Sequence, residues 1–138
     1  MAVKAISHII AEAAKKKKAE DKAQVLRENR SDALTYILEL AFHPNVGWWI
    51  PEGAPPYKPC EYVDVEGRLY KEADGLQNFL SGNRPELKQS QREHMFIQVL
   101  ESIHPDDAKL VIDVKDKTVK GIDRDVVNLA FPGLIPNG

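Results

Sequence analysis

The chain has 138 residues, a single cysteine and a net charge of −2. That length suits one domain, which can bury about 70% of its unfolded surface and hold its own core. Cys60 alone excludes an internal disulfide or a cysteine-rich metal site, and no stretch reaches the roughly 20 apolar residues that cross a bilayer.

Residues 3–14 place Val3, Ile6, Ile9, Ile10 and Ala13 at helical spacing, and alanine and lysine keep the helix favourable through Lys18. The apolar part is too short for a secretion signal and its lysines lie on the wrong side, so the expected compartment is the cytoplasm. A second helix is predicted over Ala19–Glu28, with Ala23 and Leu26 inward and Asn29 as its stop. Ser31 suits the N-cap of a third, in which Ala33, Leu34, Ile37, Leu38, Ala41 and Phe42 form an apolar stripe and Pro44 ends the helix.

Residues 44–60 hold five prolines and two glycines, a density that no regular element survives. Trp48, Trp49, Ile50 and Tyr57 within it predict an ordered loop whose aromatics are pinned to the core. The alternative is an aromatic platform that stacks on bases. Residues 61–70 allow a small hairpin around Glu66-Gly67. A helix is predicted over 71–81 through Ala73, Leu76, Phe79 and Leu80. A longer one opens at Pro85 and runs to about Ile103, with Leu87, Met95, Phe96, Val99, Leu100 and Ile103 inward. Residues 105–120 fit a helix starting at Pro105-Asp106-Asp107, yet Leu110, Val111, Ile112, Val114 and Val119 also fit a hairpin. Asp123 caps a short last helix through about Ala130.

Charge is unevenly spread. Residues 1–30 carry eight basic and four acidic side chains, and residues 31–107 carry six and thirteen. Such a chain can present a bipolar surface, although solvated helix faces give the same pattern.

Signatures of chemistry are sparse. His8, His43, His94 and His104 have no ligand-like partner three or four residues away, so no metal motif is read. Neither a glycine-rich phosphate loop nor a Gly-x-Ser-x-Gly elbow is present. Lys71-Glu72-Ala73-Asp74-Gly75 approaches the Lys-x-Asp-Gly motif of nucleotidyltransferases, but one residue too many separates lysine from aspartate. The chain reads as non-catalytic, with no cofactor.

The tail, Gly121-Ile122-Asp123-Arg124-Asp125-Val126-Val127-Asn128-Leu129-Ala130-Phe131-Pro132-Gly133-Leu134-Ile135-Pro136, carries the most specific pattern. It resembles, without gaps, the end of the N-terminal DNA-binding domain of ATP-dependent DNA ligases of T-even-like phages. The order of the front elements agrees: a short first helix, a Lys-rich helix ending near Asn29, the helix to Phe42, then Trp48-Trp49-Ile50 and prolines. The chain also resembles a family of stand-alone phage proteins of this length. The resemblance implies one all-α, compact multi-helix domain over 1–138, with 105–120 helical. It also implies a grip on duplex DNA beside a nick, through the backbone, in the cytoplasm of a host cell.

The family's phosphate-contacting turn carries over to Lys117, Thr118, Val119, Lys120 and Gly121. A glycine turn feeding a helix N-terminus presents free N–H groups to an anion. Lys15, Lys16, Lys17, Lys18, Lys22 and Arg124 complete the predicted DNA-binding set. Asp116-Lys117-Thr118 departs from the family's Asp-Leu, and Asp123 and Asp125 stand where a phosphate would lie. The adenylation domain that follows in ligases is missing, so nick sealing is not expected. The expected function is a non-catalytic, sequence-nonspecific duplex or nick-binding module. The alternative is a protein-interaction adaptor that keeps the fold without DNA. It would meet a phage or host replication or transcription protein through Glu61, Asp64, Glu66, Glu72 and Asp74.

Overall fold

Apolar periodicity sets the helix order in a computed structural model that describes residues 4–62 and 64–136. Helix α1 (Ile6–Lys15) buries Ile6, Ile9, Ile10 and Ala13; Val3, read as its first inward position, lies outside the described residues. The helix stops three residues short of the predicted Lys18, and Lys16 and Lys18 are extended. Continuing it would set Lys15 over Lys18, at the spacing where like charges repel. Helix α2 (Ala19–Glu28) buries Ala23, Val25 and Leu26. Asn29 closes it, donating from Nδ2 to the Val25 carbonyl at 2.8 Å. Helix α3 (Asp32–Phe42) begins as expected, with Ser31 Oγ accepting the Leu34 N–H at 3.1 Å.

Three expectations are corrected in the middle of the chain. No hairpin forms at 61–70: Glu66-Gly67 leads into α4 (Arg68–Glu72), and residue 63 lies outside the described residues. A lone two-stranded hairpin is marginal in water, whereas a helical turn buries Leu69 fully. The predicted 71–81 helix is α4 followed by a 3-10 helix over Ala73–Phe79, which buries Ala73, Leu76 and Phe79. Helix α5 (Gln89–Ser102) starts four residues after Pro85. The fully sequestered Arg92 explains the delay, because its Nη2 takes the carbonyls of Arg84 at 2.8 Å and Leu87 at 3.3 Å. Gln91 accepts the Lys88 N–H at the true start.

Of the ambiguous stretch 105–120, Pro105–Asp116 form helix α6, as the resemblance implied, and 117–120 form the turn after it. Seven of its twelve residues are buried, on several faces, and it touches α1, α3 and α5. Helix α7 (Arg124–Ala130) lies on α2, which also packs on α1. The architecture is all-α; among the described residues the only β feature is an isolated bridge between Trp48 and Leu80. Among them too, no helix is long and apolar enough to cross a membrane.

Helix α6 also anchors its neighbours through polar groups. Asp107 Oδ1 accepts the Ser7 N–H at 2.8 Å, supplying the cap that Ala5 cannot give α1. Burial raises the Asp107 carboxyl above the usual aspartate range, with hydrogen bonding from Ser7 opposing it. Lys115 sends its buried amine to the Pro51 and Gly53 carbonyls at 2.9 and 3.1 Å and to the Asp116 carboxylate. The Pro-rich segment is therefore an ordered loop. Trp48 meets Phe96 edge-on at 6.4 Å, and Trp49 lies under the Arg92 guanidinium at 4.8 Å. Trp49 stays 37% exposed, so one of the two tryptophans is partly available to solvent.

The turn after α6 depends on Gly121. Its φ is +86°, and a Cβ there would lie 3.1 Å from the Ala14 Cα and collide with the Ala14 Cβ. Gly133 has a similar φ of +83° but nothing within 4 Å. Gly133→Ala should cost only the backbone strain, about 1–2 kcal/mol. Gly121→Ala should cost that plus the clash, at least ~3 kcal/mol in all. Urea midpoints of the two variants give the comparison; equal losses would show that Gly121 is not wedged against α1.

Candidate nucleic-acid interface

The contact between Gly121 and Ala14 joins two basic segments that are a hundred residues apart. Lys15 and Lys16 follow Ala14, and Lys120 precedes Gly121. The Lys22 amine of α2 donates to the Gly121 carbonyl, so α2 is fastened to the same turn. Lys15, Lys16, Lys17, Lys18, Lys120 and Arg124 are exposed. None of the six is in an ion pair among the described residues. The N-terminus of α2, entered from Lys18, has no side-chain cap. Glu20 and Asp21 in its first turn offset part of that positive end. Glu12 nearby pairs with Lys4 at 3.0 Å. That hydrogen bond, with Lys16 and Lys15 adding to it, holds the Glu12 carboxyl below the usual glutamate range.

Three predicted contacts have other work. Lys117 adopts the left-handed conformation that ends α6, and its amine donates to the Leu40 carbonyl at the end of α3, at 2.6 Å. Lys22 is held by Gly121 as described. Thr118 is exposed, with its hydroxyl on Asp113 Oδ1 at 2.9 Å and its N–H on the Asp113 carbonyl at 2.8 Å. The expected anion seat at the start of α7 is taken by the chain itself: Asp123 Oδ1 accepts the Val126 N–H at 2.9 Å. What remains open is the cation row, not the helix N-terminus.

A cleft of about 620 Å³ runs between α1 and α6, from His8 and Asp106 past Asp113 to Thr118 and Lys120. The fold brings His8 and His104 together, ring centroids 5.0 Å apart, which spacing along the chain did not reveal. His8 Nε2 lies 2.8 Å from Asp106 Oδ2, and this imidazole holds the Asp106 carboxyl below the usual range. The one local clue was His104-Pro105-Asp106, two candidate ligands flanking a helix start. The acidic candidates sit apart in sequence and are partly paired. Glu61 meets Lys58 at 3.7 Å and Glu72 meets Arg68 at 3.1 Å, while Asp64 and Asp74 are exposed.

Fold and surface together define a small helical domain in which two lysine-bearing segments meet at Gly121. The chain belongs to the family of unknown function DUF6433, whose sequence profile matches residues 9–121. The match thus runs from the first turn of α1 to the glycine that meets it. No curated protein matches the chain.

The role of Lys117 is checked by stability. Lys117→Ala should cost about 1 kcal/mol by leaving the Leu40 carbonyl without its donor. Burial lowers the amine below the usual lysine value of 10.5, so the unfolded chain binds more protons just under that pH. Wild-type stability should therefore rise with pH through that window, and the variant should lack the rise. Urea titrations at about pH 8 and about pH 10 read both effects; identical slopes would place the amine in solvent.

Proposed function

We propose that the chain is a non-catalytic, sequence-nonspecific DNA-binding module that takes the phosphate backbone of a duplex or nick along its basic edge. The observation that carries this reading is the seat of Gly121 on Ala14. It sets the chain next to Lys15 against the chain next to Lys120, with Arg124 three residues beyond the glycine. A footprint needs contiguous cations, and these are exposed and unpaired among the described residues. The resemblance of Gly121–Pro136 to the end of a phage ligase DNA-binding domain points the same way. Gly121 would add a backbone contact, whereas the Thr118 hydroxyl and N–H already donate to Asp113. Lys117 and Lys22 act through the fold instead, by holding the turn in place.

Affinity from such an edge comes from displaced counterions and falls with salt. About five phosphate contacts give a log–log slope near −4 to −5, at roughly −0.9 per contact. Fluorescence anisotropy on nicked and intact duplexes at about 50 and 200 mM salt measures that slope. The double variant Lys16→Ala, Lys120→Ala should flatten it by about two units. Lys88→Ala, on a distant exposed lysine, should leave it unchanged. Absence of binding at the lower salt, or a slope indifferent to the double variant, would reject the reading.

One feature favours the adaptor as a second reading. Tyr62 is 82% exposed between Glu61 and Asp64, an aromatic in an acidic surround. Aromatic side chains of this kind anchor protein contacts. Capture of a phage or host replication or transcription protein that survives nuclease and is lost in Tyr62→Ala would support it.

A further inference from the structure

We infer that His8, His104 and Asp106 form a binding site for a divalent transition ion of the zinc type, clamping α1 to the start of α6. One imidazole nitrogen from each histidine and one Asp106 oxygen all lie within 4.8 Å of one another. The proposal does not depend on DNA binding.

The donor set selects the metal. Two imidazoles and a carboxylate suit zinc and its neighbours, whereas magnesium and calcium take oxygen ligands. Zinc–nitrogen and zinc–oxygen bonds of about 2.0–2.2 Å put tetrahedral ligand atoms roughly 3.3 Å apart. The spacing found here brackets that value: His8 Nε2 to Asp106 Oδ2 is 2.8 Å, and His104 Nδ1 to the same oxygen is 4.0 Å. Closing the site around one ion takes inward shifts of roughly 1 Å in the wider pairs. His8 and Asp106 are about half exposed, so an ion reaches them from solvent.

Supports on either side limit how the ligands move. Asp107, the next residue, is fixed on Ser7, which precedes His8. His104 Nδ1 accepts the Asp106 N–H at 3.0 Å, which holds that ring against the helix. A metal on Nδ1 would exchange that hydrogen bond for a coordinate bond. Three protein ligands leave a fourth position, as in open zinc sites, for water or an anion.

Titration calorimetry of the full chain, freed of any affinity tag, with zinc chloride tests the proposal. One equivalent should bind with micromolar or tighter affinity, and magnesium chloride should give no heat. His8→Ala and Asp106→Asn should each weaken zinc at least about tenfold, the scale seen even for residues that only support ligands. His94→Ala and Cys60→Ser should bind as the wild type does. Because an unfolded variant would also lose zinc, circular dichroism must show unchanged helix content. Cobalt should give a tetrahedral visible band in the wild type that His8→Ala abolishes. The proposal is overturned if the wild type takes no zinc, if His8→Ala and Asp106→Asn bind undiminished, or if binding follows Cys60.

Discussion

A single close approach governs how the two ends of this chain meet. At Gly121 the backbone passes so near Ala14 that no side chain fits, and it does so at a φ that favours glycine. Three elements converge there: the end of α1, the α2 lysine that binds the Gly121 carbonyl, and the turn that launches α7. Remove the approach and the turn that leads to α7 loses its seat on α1, and the lysines of the α1–α2 link lose their neighbour. Charge on this molecule is therefore organised by packing. In a chain of net charge −2, a van der Waals contact brings the segment of Lys15 against the segment of Lys120.

Helix α6 supplies the other half of the order. It is buried on several faces, and its polar side chains turn toward neighbouring segments. Asp107 caps α1, Lys115 holds the Pro-rich loop, and Lys117, just past its end, reaches the carbonyl end of α3. Each group answers a backbone need elsewhere: a free N–H, loop carbonyls, or the last turn of a helix. Where water cannot replace the donor, as at buried Lys115, its loss costs more than the net worth of an ordinary hydrogen bond.

How much of this was legible in the sequence follows the range of the forces involved. Helices α2, α3 and α7 carry their stops and starts in adjacent residues, Asn29, Ser31 and Asp123, so their ends could be read directly. Helix α6 could not be told from a hairpin by composition. Burial on several faces erases the 3.6-residue stripe, leaving Leu110, Val111, Ile112 and Val114 as a β-prone run. Its helical form was reached only through the resemblance. The start of α5 was misplaced because Arg92 claims carbonyls upstream, a tertiary act with no local mark. The same limit applies at the surface. Lys15–Lys18 were visible as cations, but their nearness to Lys120, the diversion of Lys117 and Lys22 into the fold, and the His8–Asp106 contact all arise across the chain.

The most direct trial of the basic edge is a residue-by-residue map in solution. Backbone amide resonances of the labelled chain would be followed by NMR as a short nicked duplex is added at low salt. An edge built as described requires shifts gathered at residues 15–22 and 118–124 together, growing in concert and vanishing as salt is raised. Shifts confined to one of those segments, or centred on residues 61–74 instead, would contradict it.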